Sequence, residues 1–125
     1  MLLALTVATL LQAVPTADTI PGSWRFQGDI AGFPLDQVCT FEQAETALNG
    51  HCITGEGASI PLTGEVKEGT ITFQHGGEYE GEPLTIIYTG TLATPGEFKG
   101  TILVRPFEVT GYFTAAPVPP EQPEQ

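Results

Sequence analysis

A five-residue pattern (apolar, any, Gly, any, apolar) recurs at Leu48–Cys52, Leu62–Val66, Tyr88–Leu92, Phe98–Ile102 and Val109–Phe113, and it restricts the fold more than any other feature. In each copy the glycine shares the parity of both apolar neighbours, so in an extended chain all three face the same side. Glycine inside a strand packs against nothing and weakens it. A glycine repeated on the inner face of strand after strand therefore fits a sheet that bends sharply, or one whose backbones approach closely. A helical repeat fits worse, because the apolar period is two and each helical glycine would cost about 1 kcal/mol relative to alanine.

Read in order, the chain gives eight expected strands: Gly22–Ile30, Leu35–Gln43, Leu48–Thr54, Ser59–Val66, Thr70–His75, Leu84–Leu92, Phe98–Val104 and Val109–Ala115. Turns are expected at Gly32–Pro34, Glu45-Thr46, Gly55–Gly57, Glu68-Gly69, Pro95-Gly96 and Pro106-Phe107, with a longer acidic loop over Gly76–Pro83. Strands joined in sequence by short turns form a meander, and 125 residues suffice for one domain with a modest core. The expected fold is all-β, an eight-stranded antiparallel up-and-down barrel; a two-layer β-sandwich is the alternative. Register supports closure. If Val104 pairs with Val109, Ile102 faces Gly111 and Phe113 covers Gly100, as rings cover glycines in curved sheets.

Cysteine usage points the same way. The two cysteines, Cys39 and Cys52, face each other if Glu45-Thr46 centres a hairpin, with Phe41 opposite Gly50 and Gln43 opposite Leu48. A disulfide there adds about 3 kcal/mol at most, and it suits an oxidising compartment. Residues 1–17 read as a signal peptide or leader: an apolar run followed by small residues, with Ala13 and Ala17 as cleavage candidates and a buried helix as the alternative. The run is too short for a stable membrane span. Residues 18–21 form a linker, 22–115 the barrel, and 116–125 a disordered Pro/Glu/Gln tail. The expected location is exported, periplasmic or secreted.

Fifteen acidic residues against four basic ones give a net charge of −11, which argues against nucleic acid and anionic membrane as partners. Catalysis has little to work with. Ser23 and Ser59 lie in no nucleophile elbow, His51 points outward by parity, and His75 stands alone with inward parity. Glu78, Glu80 and Glu82 offer oxygens to a hard cation but have no calcium-loop spacing and read first as solvated side chains. The chain thus reads as non-enzymatic, and no cofactor is implied.

An eight-stranded barrel is either filled by side chains or holds one small ligand. Inward parity collects Trp24, Phe26, Phe41, Phe73, His75, Tyr88, Phe98 and Phe113, with Gln37 and Gln43 supplying amides. Aromatics with a few polar tips describe a pocket for a small apolar or aromatic molecule, and equally a plain core. In the second case function falls to the outer wall, where Val38, Ile53, Ile87, Leu103 and Tyr112 are candidates for a homo-oligomer contact or a protein-interaction surface.

Gly22-Ser-Trp24 at the start of the first strand, the up-and-down order and the Leu-x-Gly steps together resemble the calycins, the lipocalin and avidin-like small barrels. The closing Gly111-Tyr-Phe-Thr-Ala115 is similar to the last strand of avidin-like barrel domains in exported bacterial proteins. The resemblance implies a barrel with a ligand inside, lipid or retinoid-like in lipocalins and biotin in avidins. Two departures stand out: biotin sites use several tryptophans where this chain has only Trp24, and Ala116-Pro117 replaces the basic residue that lipocalins pack on the first-strand tryptophan.

Overall fold

The computed structural model describes residues 20–94 and 96–119. Its eight strands are β1 (Gly22–Ile30), β2 (Phe33–Ala44), β3 (Ala47–Ile53), β4 (Ser59–Lys67), β5 (Thr70–Tyr79), β6 (Glu82–Thr94), β7 (Glu97–Arg105) and β8 (Val109–Pro117). Each pairs antiparallel with its neighbour in sequence, and β1 pairs with β8, so the sheet closes into a barrel rather than splitting into a sandwich. Both expected registers hold, with Cys39 opposite Cys52, Phe41 opposite Gly50 and Gln43 opposite Leu48, and with Gly100 opposite Phe113. Cys39 and Cys52 are joined in a fully buried disulfide.

The glycine repeat has a direct physical cause at Gly100. It lies opposite Gly90 across β6 and β7, and a Cβ there would run into the Thr89 carbonyl oxygen and reach within 2.5 Å of the Gly90 Cα. Aromatic residues stand directly opposite such glycines in register, Phe41 opposite Gly50, Phe73 opposite Gly64 and Phe113 opposite Gly100.

Those rings fill the middle of the barrel. Phe26 has five of them around it: Phe113 at 5.3 Å between centroids, Phe73 at 5.4 Å, Tyr88 and Phe98 at 5.8 Å, and Phe41 at 6.2 Å. One end of the barrel is sealed by Ile20, Trp24, Leu48 and Val66, all buried. The other end carries the turns after β1, β3, β5 and β7, and it is open.

Three expectations need correcting. The acidic segment Gly76–Pro83 is a hairpin rather than a loop. β5 runs to Tyr79 and β6 starts at Glu82, with only Glu80 and Gly81 (φ 52° and 82°) in the turn. Backbone pairing needs no side chain, so Gly76 and Gly77 continue the ladder opposite Thr85 and Leu84. β2 starts at Phe33 after a tight Ala31-Gly32 turn (φ 51° and 93°), which leaves Pro34 inside the strand rather than in the turn. The tail begins later than expected: β8 continues through Pro117, and the Val118 N–H donates to the Ser23 carbonyl at 2.8 Å. Ile20, within the expected linker, is buried and donates its N–H to Gln43 Oε1. The leader 1–17, the Pro95 turn and the tail beyond 119 lie outside the described residues.

Strand lengths are unequal at the open end. β2 pairs with β3 only as far as Val38, opposite Ile53, and β4 pairs with β5 only as far as His75, opposite Leu62. Beyond Leu62, β4 continues to Ser59 without pairing to β5, so the wall parts there and leaves a notch bordered by β2 near Pro34 and Gln37, by the β3–β4 turn and by β5 from His75 to Glu78.

Candidate functional site

Three polar side chains meet where the packed rings give way to the open end. Gln37 on β2, His75 on β5 and Tyr88 on β6 are all inward by parity, and all are buried. Tyr88 Oη lies 2.8 Å from His75 Nε2 and 2.9 Å from Gln37 Nε2, and His75 Nδ1 lies 2.7 Å from the Gly76 carbonyl oxygen. Chemistry fixes the protons. A carbonyl only accepts, so His75 Nδ1 carries the hydrogen, and Nε2 of the neutral ring accepts from the Tyr88 hydroxyl. Tyr88 in turn accepts from the Gln37 amide N–H. Reversing the Gln37 amide would leave one tyrosine proton to serve two acceptors, so this orientation is the one the network selects.

Burial favours the same state. It pushes the His75 pKa below its ordinary 6.5 against the opposing pull of the Gly76 carbonyl, and it pushes Tyr88 up despite the Gln37 hydrogen bond. The trio is therefore neutral around pH 7. One polar atom is left over: among the described residues nothing donates to Gln37 Oε1, although the side chain is only 6 % exposed.

Above the trio the open end divides into two joined hollows. An apolar mouth of about 440 Å³ is walled by Ile30, Leu84, Ile86, Val104 and Val109. Its lip is aromatic: Phe33, Tyr79 and Phe107 are 62 %, 47 % and 50 % exposed, and Tyr79 stands 6.3 Å from Phe33 and 6.4 Å from Phe107 between ring centroids. The notch beside it, about 890 Å³, is lined by Gln37 and His75 at the base and by Asp36, Glu56 and Glu78 around it. Glu78, Leu84 and Ile86 border both hollows. Among the described residues no cluster of His, Cys, Asp and Glu is arranged to hold a metal ion, Glu78, Glu80 and Glu82 included.

The sequence-derived site residues therefore separate into groups. Gln37, His75 and Tyr88 come together beneath the mouth. Phe26, Phe41, Phe73, Phe98 and Phe113 occupy the space a central ligand would need. Trp24 packs edge-on to Phe98 at 6.2 Å, and Gln43 holds the Ile20 N–H, towards the sealed end. Sequence reasoning missed Phe33, Tyr79 and Phe107 as a lip. Parity could have found two of them: Phe33 continues the inward row of Leu35 and Gln37, and Tyr79 that of His75 and Gly77.

No family model and no curated protein matches this chain. Two solved structures share the fold. EF1p2_mFAP2b bound to DFHBI superposes over 78% of this chain and 93% of its own, with TM-score 0.56 and 14% identity. A redesigned β-barrel, mFAP1, bound to DFHBI, superposes over 78% and 94%, with TM-score 0.52 and 11% identity. At such identities the likeness is one of fold.

Proposed function

We propose that this protein is a non-enzymatic, exported β-barrel that binds a small apolar or aromatic molecule at its open end. The observation that carries the reading is the mouth itself, an apolar hollow with exposed rings at its lip and hydrogen-bonding groups beneath. Its volume of about 440 Å³ lies within the usual range for small-molecule pockets. Exposed aromatic rings held this close together are costly to leave in water unless something covers them. The calycin resemblance and the two barrels bound to DFHBI support ligand binding by this architecture. Export is supported by the buried Cys39–Cys52 disulfide.

Titration with Nile red, a neutral aromatic reporter, tests the proposal. Saturable one-to-one binding with a blue shift is expected. Phe107→Ala, at an exposed position, and Leu84→Arg, on the mouth wall, should each weaken it at least tenfold, while Tyr112→Ala on the outer wall leaves it unchanged. Absence of saturable binding, or equal sensitivity to Tyr112→Ala, refutes the mouth as the site. The alternative, an interaction module working through its outer wall, has less support. Val38 pairs with Ile53 and Ile87 with Leu103, two pairs on opposite sides of the barrel, and Tyr112 is opposite Thr101 and Asp29 instead.

A further inference from the structure

We infer that the ligand is an organic amine, with its protonated nitrogen in the notch and its apolar or aromatic body in the mouth; this rests on the binding reading above. The first observation is the leftover acceptor. Every proton in the Gln37–His75–Tyr88 network is committed within the protein, the second amide hydrogen of Gln37 going to Cys39 Sγ at 3.6 Å, while among the described residues Gln37 Oε1 receives none. A buried carbonyl oxygen without a donor is costly, and Gln37 lines the notch. The base of the notch therefore calls for an N–H or O–H from outside.

The second observation is independent and concerns charge. Asp36, Glu56 and Glu78 line the notch with no Lys or Arg among them, and Asp36 is already paired with Arg25 at 2.9 Å. Of the other basic residues, Arg105 is engaged with Glu108, while Lys67 and Lys99 lie on β4 and β7 towards the sealed end. A carboxylate ligand would meet the Glu56 and Glu78 charges with nothing to offset them, whereas an ammonium is drawn in. Rings at the lip, Phe33, Tyr79 and Phe107, line the mouth and not the notch, so they receive the apolar or aromatic body of the ligand. Since the notch and the mouth share Glu78, Leu84 and Ile86, a single molecule with a charged head and an apolar body can occupy both.

The test is displacement of Nile red by three matched compounds: 2-naphthylmethylamine, 2-naphthalenemethanol and 2-naphthoic acid. The amine should bind about tenfold more tightly than the alcohol at low salt, and the acid should be weakest. Glu56→Gln with Glu78→Gln, both exposed positions, should bring the amine to within about threefold of the alcohol measured on the same variant. About 0.5 M salt should do the same to the wild type. Gln37→Leu should weaken both donors relative to Nile red measured on the same variant. An alcohol that matches the amine, or an acid that beats it, overturns the amine assignment and leaves the mouth standing. Failure of Nile red and all three compounds to bind sinks both.

Discussion

His75 carries the most physical consequence for a single residue. Its imidazole is neutral because burial outweighs the Gly76 carbonyl, so its pKa in the fold lies below 6.5 while the unfolded chain keeps the ordinary value. The sign follows from proton counting. As pH falls through about 6.5 the unfolded state takes up a proton that the folded state refuses, so stability drops until the folded-state pKa is reached. Urea denaturation between about pH 7.5 and 5 should show this loss, with a slope of at most about 1.4 kcal/mol per pH unit from this group. In His75→Gln that component should vanish. An unchanged pH profile in the variant would mean that other groups are responsible.

Among the elements, the hairpins hold the most testable detail. Glu68 and Gly69 both have positive φ, 53° and 83°, the conformation that suits a tight two-residue turn and that glutamate tolerates poorly. Glu68→Asn should raise stability by about 0.5–1 kcal/mol, a few degrees in Tm. Glu65→Asn removes the same charge from an extended, exposed position in β4 and should lower Tm instead. The hairpins also explain what sequence could reveal. Closed topology and the registers of the Cys39–Cys52 and Gly100–Phe113 pairs were legible because parity and turn chemistry agreed there. The site was legible only in part. Gly76 and Gly77 carry no side chains to advertise a strand, so the segment that raises Tyr79 to the lip read as a loop. Whether inward rings meet or leave room between them depends on strand tilt and rotamers, which no alternation pattern contains.

At the scale of the whole molecule, the outer wall bears on assembly. Its apolar residues fall into two separated pairs and a lone Tyr112 rather than one patch, and the net charge of −11 opposes self-association. Sedimentation equilibrium should find a monomer across the micromolar range, and a stable dimer there would return the outer wall to consideration. Closure between β1 and β8 has a different consequence, one of timing. Phe26 is supplied by the earliest strand, yet it leans on Phe98 and Phe113 from the last two. That centrepiece stays wet until the final strand is in place, so the protein is expected to assemble late and all at once, with few stable half-built forms along the way.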